Sequence, residues 1–130
     1  MKILSIEAKL ENLTQVMDFI NANIVECIPK IQNQINIAVD EIFSNIAKYA
    51  YRPEKGSVTV RIMVDDLIRI EFEDKGFAYN PLDIETPDTS LSVSERDVGG
   101  LGVLLVKNLM DSVHYKRIGD KNILEIQKKI

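Results

Sequence analysis

Residues 31–51 read IQNQINIAVDEIFSNIAKYAY and carry two stripes of different chemistry. The apolar stripe consists of Ile35, Val39, Ile42, Ile46 and Tyr49. Steps of three and four residues are the period of one helix face, so this stretch predicts a long helix that packs on a core. Glu41, Asn45 and Lys48 recur with the same spacing on a different face and form a polar stripe. Charged helix faces are usually solvated surface, so the rest of the sequence must decide whether this stripe is a functional site.

Composition favours one soluble domain. The chain has 130 residues, 45% of them hydrophobic and 28% charged, which is enough to bury a core without disulfides. A formal net charge of -4 with no offsetting basic run argues against direct nucleic-acid binding. Cys27 is the only cysteine, which excludes an internal disulfide and fits a reducing compartment. Charged residues such as Lys2 and Glu7 interrupt any apolar run at the start, so we expect a cytoplasmic protein with no membrane contact.

The first 30 residues predict a strand followed by a helix. Residues 2–8 alternate between apolar and polar side chains, which is typical of a strand. Asn12 is then a candidate N-cap, with Gln15 reaching back in a variant of the capping box. Apolar residues continue at helical spacing from Leu13 to Cys27, and Pro29 ends that helix or opens the next one.

Two further strands are predicted from strict alternation after Gly56. The apolar side chains fall at positions 58, 60, 62 and 64 of the first strand, and at 68, 70 and 72 of the second. The same register places Asp74 on the apolar side, and an inward carboxylate is costly unless a protein group or a ligand satisfies it. Gly76 follows two residues later, at a point where the backbone can approach a ligand closely.

The segment from about 77 to 98 has little periodicity. A connection of about twenty residues inside a compact domain is uncommon and is often a functional lid. It ends in Gly99-Gly100-Leu101-Gly102, and an apolar helical pattern begins there. Glycines that open a helix expose backbone amides at its positive end, which suits phosphate, although they can also serve only to turn the backbone. Two final strands are predicted at about 112–117 and 122–128.

The order of elements predicts the fold class. Three helices and mostly hairpin-connected strands favour an α/β (α+β) two-layer sandwich, with the helices on one face of a mixed, mostly antiparallel sheet. A Rossmann fold is excluded because no strand directly precedes the glycines, whose spacing is not G-x-G-x-x-G, and a Walker A loop is absent. We therefore expect residues 1–130 to form a single domain.

Three motifs, in this order, resemble sequence boxes of the GHKL superfamily, whose ATP-binding domain has the Bergerat fold. They are Glu41-x-x-x-Asn45, Asp74-x-Gly76 and Gly100-x-Gly102, and the resemblance spans nearly the whole chain. Within the superfamily, the small size and the segments DKGFAYNPLD (74–83) and GGLGVLLVKNLMD (99–111) are most similar to the anti-sigma-factor serine/threonine kinases. Ala78 stands where the usual pattern has a second glycine.

The resemblance implies a role for each matching residue. Asn45 would ligate Mg²⁺ through its amide oxygen, and Glu41 would be the base that takes the proton of a serine or threonine hydroxyl. Asp74 would accept a hydrogen bond from the adenine amino group of ATP, and Gly76 would make room for that base. Lys48 would lie near the phosphates, although a solvated lysine accounts for it equally well. The other nucleotide-binding residues that the resemblance implies are Ala78, Gly99, Gly100, Leu101 and Gly102.

Three functions follow from this reasoning. The first is an ATP-dependent serine/threonine protein kinase that phosphorylates a small anti-sigma antagonist protein and sequesters a sigma factor; the resemblance also suggests a homodimer. The second is a nucleotide-dependent binding switch in a partner-switching pathway, with little or no kinase turnover. The third is a domain whose polar stripe and glycines have only local structural roles. Glu41 favours the kinase, because a pure switch needs Asn45 and Asp74 but no base.

Overall fold

The computed structural model describes residues 1–51, 56–78 and 100–130. The elements in chain order are β1 (Lys2–Glu7), a 3₁₀ turn (Leu10–Asn12), α1 (Leu13–Ala22), α2 (Pro29–Asn45), a π-helical continuation of α2 (Ile46–Ala50), β2 (Ser57–Val64), β3 (Leu67–Asp74), α3 (Gly100–Leu109), β4 (Ser112–Ile118) and β5 (Lys121–Lys129).

The strands form one sheet in the order β1-β2-β3-β5-β4. Each neighbouring pair of the described strands is antiparallel, so the sheet in this part of the chain is not mixed. The predicted α/β sandwich, with three helices and a mostly antiparallel sheet, is confirmed. Within the described ranges, no helix has both the length and the apolar character that crossing a membrane requires.

The core lies between the sheet and α2. Ile35, Val39 and Phe43 of α2 are completely buried. Burying each such side chain stabilises the fold by about 1.5–3 kcal/mol, so Ile35 and Val39 of the predicted stripe, together with Phe43, anchor α2 on the sheet. The alternating residues of β2 and β3 supply the opposing surface, with Val60 and Phe72 at most 1% exposed. This packing fixes the orientation of α2 on the sheet.

The N-terminal part differs from the prediction at two points. Asn12 does not cap α1, because the preceding 3₁₀ turn places it in a helical conformation and its side chain donates to the carbonyl of Glu7 instead. The helix ends at Ala22, where the side chain of Asn23 donates to the carbonyl of Phe19 at 2.8 Å and satisfies the helix end. Cys27 therefore lies outside α1.

Cys27 lies in the connection between α1 and α2, and Pro29 is the first residue after that connection. Cys27 is buried in the core, as its apolar context predicted, and burial, with a smaller contribution from the charge of Glu26, raises the pKa of its thiol. Pro29 opens α2, where its missing N–H costs no hydrogen bond.

Tyr51 ties the end of the long helix to the sheet. Its hydroxyl donates to the carbonyl of Ser57 at 2.6 Å and accepts from the backbone N–H of Lys75 at 2.6 Å. Burial raises the pKa of Tyr51 above its ordinary value of 10.0, and the nearby charge of Asp74 acts in the same direction, although the Lys75 bond opposes it. The folded state therefore favours the neutral phenol, which alone can donate to Ser57.

This network predicts a pH dependence for Tyr51→Phe. Because the pKa is higher in the folded protein, the stabilisation is complete below pH 10.0 and is lost as the pH rises through the folded value. At pH 7 the variant should lose about 1–2 kcal/mol of unfolding free energy with its hydrogen bonds. The difference from wild type should shrink above pH 10.0, as measured by urea unfolding over a pH series. A difference that stays constant across that range would contradict this role.

Candidate functional site

A cavity of about 300 Å³ lies between the C-terminal half of α2, the start of α3 and the sheet. Its volume is at the lower end of the range found for small-molecule sites. The walls are mostly apolar, and among the described residues the polar side chains that line it are those of Glu41, Asn45, Tyr49, Asp74, Tyr115 and Asn122. An apolar cavity with a few convergent polar groups is the usual form of a ligand site.

Two of the polar residues come from the predicted polar stripe. Glu41 and Asn45 are both half-buried and line the cavity, one turn apart on α2. The burial of Ile42 and Phe43 fixes the rotation of the helix and so directs this face toward the cavity. Lys48 is exposed and is not among the cavity-lining residues. It lies in the π-helical segment, where the wider turn changes the angle between successive side chains.

Asp74 provides a carboxylate at another point of the cavity. It ends β3, is only 6% exposed, and points inward as the strand register predicted. Its Oδ1 accepts hydrogen bonds from the backbone N–H of Gly76 at 2.9 Å and from Nδ2 of Asn122 at 3.0 Å. Within the described ranges, no donor bonds to Oδ2, so this oxygen can accept from a ligand in the cavity.

Gly76 is required by the contact between the end of the helix and the end of β3. A Cβ on Gly76 would lie 2.7 Å from the carbonyl carbon of Ala50 and 2.8 Å from its Cβ. The adjacent N–H of Phe77 donates to the carbonyl of Ala50 at 3.1 Å. The absence of a side chain at Gly76 therefore allows close backbone packing against Ala50. This reason is separate from the predicted one, which was to leave room for a ligand. Ala78 is exposed and lines the cavity.

The start of α3 lies directly against Glu41. Gly100, Leu101 and Gly102 form the first turn of α3, and Gly102 lines the cavity. A Cβ on Gly102 would collide with Oε2 of Glu41 and would lie 3.2 Å from its Cδ. The backbone amides of a first helical turn carry partial positive charge, so this place favours anions. Gly99 and the predicted lid from residue 79 onward lie outside the described residues.

Asn122 is a site residue that the sequence did not reveal. It is 6% exposed in β5, where it pairs directly with Asp74 of β3. Its Nδ2 also donates to the carbonyl of Phe77 at 2.7 Å, and its Oδ1 accepts from the hydroxyl of Tyr115 at 2.5 Å. Arg117 of β4 adds a bond to the carbonyl of Gly76 at 2.9 Å. In the sequence, Asn122 is visible only as a polar residue at the start of a predicted strand. Its pairing with Asp74 depends on which strands are neighbours in the sheet, and the local sequence pattern does not reveal that.

The side-chain oxygens of Glu41 and Asn45 suit a metal ion that binds together with a phosphorylated ligand. In the described part of the chain, no group of three or more His, Cys, Asp and Glu side chains could hold a metal ion. Glu41 and Asn45, whose side chains carry oxygen atoms, nevertheless line the cavity from adjacent turns. Mg²⁺ is commonly bound by one or two protein oxygens, with water and substrate phosphates completing its shell. This donor set therefore suits Mg²⁺ bound together with a phosphorylated compound.

The similarity to known proteins agrees with this geometry. Residues 6–128 match the family described as the histidine kinase-like ATPase domain, and the chain belongs to that family. It is 33% identical over 94 residues to the serine-protein kinase RsbW of Staphylococcus aureus, both in strain bovine RF122 / ET3-1 and in strain MRSA252. These matches cover 64% of this chain and 57% of the length of each relative. The predicted resemblance to the GHKL superfamily is thereby confirmed.

A solved structure supports the fold alone. The Acinetobacter baumannii histidine kinase AdeS has a TM-score of 0.52 with this chain at 13% sequence identity. The match covers 99% of this chain and 68% of that protein. The two proteins therefore share the arrangement of helices and strands.

The two glycines predict different costs for the same substitution. In Gly76→Ala the added methyl group meets the backbone of Ala50, which cannot move freely, so the variant should lose about 1–3 kcal/mol of unfolding free energy. In Gly102→Ala it meets the end of the Glu41 side chain, which can rotate away, so the loss should stay below about 0.5 kcal/mol. Urea unfolding of both variants measures this difference, and equal losses would contradict the assigned contacts.

Proposed function

We propose that this chain is an ATP-dependent serine/threonine protein kinase of the anti-sigma-factor type. The observation that carries the proposal is the distribution of polar groups in one apolar cavity. An inward carboxylate, Asp74, lies on the sheet side, and Glu41 and Asn45 lie on the helix side next to the start of α3. This separation matches a ligand with a base at one end and phosphates at the other.

Asp74 recognises adenine in this proposal. The exocyclic amino group of adenine is a hydrogen-bond donor, and Asp74 lines the cavity with an oxygen, Oδ2, that accepts from no donor among the described residues. The apolar walls of the cavity cover the faces of the purine ring and exclude water from this hydrogen bond. Guanine presents an oxygen at the equivalent ring position, which the carboxylate would repel. The proposed substrate is therefore ATP rather than GTP.

The phosphates lie at the other end, between α2 and α3. The first-turn amides of α3, from Gly100 to Gly102, supply partial positive charge for them. Asn45 would hold Mg²⁺ through its amide oxygen, and the ion would offset the charge on the phosphate oxygens. Gly99 belongs to the same proposed phosphate site, and the segment 77–98 is proposed as the lid over it. Lys48 would contribute only if its exposed side chain turned toward the phosphates.

Glu41 acts as the general base. Its carboxylate lies against the first turn of α3, close to the proposed position of the phosphates. It would accept the proton of the serine or threonine hydroxyl as that oxygen forms its bond to the γ-phosphorus. The bond between the γ-phosphorus and the bridging oxygen breaks at the same time, and ADP leaves with the bonding electrons. The products are ADP, a phosphorylated protein and a protonated Glu41, which then releases its proton to water.

The protein partners are proposed from the relatives. The Staphylococcus aureus matches are named serine-protein kinases, which supports a protein hydroxyl as the phosphoryl acceptor. We propose that the acceptor is a small anti-sigma antagonist protein and that the chain also sequesters a sigma factor, as a homodimer in the cytoplasm. A nucleotide-dependent switch would use the same cavity but would not need Glu41.

Glu41→Gln tests the kinase against the switch. The glutamine keeps the size of the side chain but cannot accept a proton at neutral pH, so phosphoryl transfer should fall by about a hundredfold or more. The affinity for Mg²⁺-ATP should stay within about threefold of wild type, because binding uses other groups. The measurement is transfer from radiolabelled ATP to the small antagonist protein, with phosphoserine and phosphothreonine detection, alongside calorimetric ATP titration.

Asp40→Asn is the matched control for Glu41→Gln. It removes one carboxylate from the neighbouring position on α2, but Asp40 is exposed and bonds only to Ser44 within the described residues. This variant should transfer phosphate at the wild-type rate. If wild type and Glu41→Gln transfer the phosphoryl group at equal rates, Glu41 is not the general base. If the wild-type protein binds ATP but phosphorylates no protein, the nucleotide-dependent switch remains as the function.

Asp74→Asn tests the adenine assignment. The amide can present a donor where the adenine amino group needs an acceptor, so ATP affinity should fall by at least about tenfold while the weak affinity for GTP changes little. Glu73→Gln is the control, because Glu73 lies next to Asp74 on the opposite face of β3 and pairs with Arg61. Calorimetric titrations with both nucleotides measure the effect. Equal losses for ATP and GTP would show that Asp74 does not read the base.

A further inference from the structure

The side chain of Asn122 has bonding partners on both sides of its amide group. Its Nδ2 donates to Oδ1 of Asp74 at 3.0 Å and to the carbonyl of Phe77 at 2.7 Å. Its Oδ1 accepts from the hydroxyl of Tyr115 at 2.5 Å. The residue is 6% exposed, so water cannot easily replace these bonds.

These partners allow only one orientation of the amide. The carboxylate of Asp74 and the carbonyl of Phe77 are both acceptors, so each requires an N–H. A flipped amide would direct its oxygen at both of these acceptors, and its N–H groups would face the hydroxyl of Tyr115, which would then have to accept instead of donate. Asn122 is therefore oriented so that its Nδ2 donates to Asp74, and the hydrogen bond from Tyr115 to its Oδ1 stabilises this orientation.

The position of the Asp74 carboxylate depends on this donor. The last side-chain torsion of an aspartate has a broad energy minimum, so hydrogen bonds rather than the rotamer decide where each oxygen points. Gly76 and Asn122 both bond to Oδ1, from the following turn and from the neighbouring strand. With Oδ1 held at two points, the carboxylate plane is fixed, and Oδ2 of this cavity-lining residue accepts from no donor among the described residues.

We propose that Asn122, oriented by Tyr115, is the positioning residue that gives the cavity its preference for a 6-amino purine. The inference rests on the proposed adenine site and adds what sets its selectivity. Asn122 acts through Asp74, because both of its amide hydrogens are already used within the protein. Without it, the carboxylate turns more freely and accepts from the amino group of adenine less well, whereas contacts to the ring faces and phosphates remain.

The test compares ATP with inosine triphosphate, which carries an oxygen in place of the amino group. Calorimetric affinities are measured for wild type, Asn122→Leu and Tyr115→Phe in the presence of Mg²⁺. Leucine has nearly the same size as asparagine but donates no hydrogen bond. We expect the wild-type preference for ATP to fall by about tenfold in Asn122→Leu and by about threefold in Tyr115→Phe, with the affinity for inosine triphosphate changing little.

Asn33→Leu is the matched control, because Asn33 is an exposed asparagine of α2 that does not line the cavity. It should keep the wild-type preference. Urea unfolding identifies any variant that no longer folds, and Tyr115→Phe, which keeps the ring, decides the matter if Asn122→Leu does not fold. A fall of both affinities by the same factor would show a structural role only and would overturn the inference. Wild type that binds no adenine nucleotide, or binds both nucleotides equally, would overturn the proposed adenine site itself.

Discussion

The buried carboxylate of Asp74 sets the constraint that the rest of the site satisfies. A charge 6% exposed at the end of an otherwise apolar strand face is costly unless hydrogen bonds compensate it. Two hydrogen-bond donors compensate for this cost. They are the backbone N–H of Gly76 in the following turn and Nδ2 of Asn122 in the neighbouring strand. Both donors bond to the same oxygen, so within the described part of the chain the carboxylate keeps part of its accepting capacity. The remaining capacity faces the cavity, and the proposed recognition of adenine depends on it.

The helix α2 links stability to function through its two faces. Its apolar residues anchor it to the sheet, and the polar residues Glu41 and Asn45 take their positions from that anchoring. The C-terminal end of the helix packs against the end of β3, which carries Asp74, through the contact between Ala50 and Gly76. The adenine side and the phosphate side of the proposed site are thus held at a fixed distance by one continuous piece of packed structure. A substitution at this contact is expected to disturb both sides together.

Local periodicity was enough to predict most of the fold and part of the site. The alternation in β3 predicted the inward direction of Asp74, and the spacing on α2 predicted that Glu41 and Asn45 share a face. The same spacing also placed Lys48 on that face, but the π-helical turn breaks the helical period after Asn45. The cap at Asn12 failed for a similar reason, since a short 3₁₀ turn changed the backbone before the helix.

Asn122 could not be predicted because its partner is 48 residues away and the pairing of β3 with β5 has no local signal. In the proposed site, this pair presents a carboxylate oxygen of Asp74 to the purine, and α2 holds the metal on the phosphates. A crystal structure with a non-hydrolysable ATP analogue and Mg²⁺ would show whether the nucleotide binds in this way. We predict the adenine amino group within hydrogen-bond distance of Asp74 Oδ2 and the amide oxygen of Asn45 coordinated to the metal. A nucleotide bound elsewhere, or Asp74 Oδ2 paired within the protein and Asn45 directed to bulk water, would show that the cavity does not bind ATP in the proposed way.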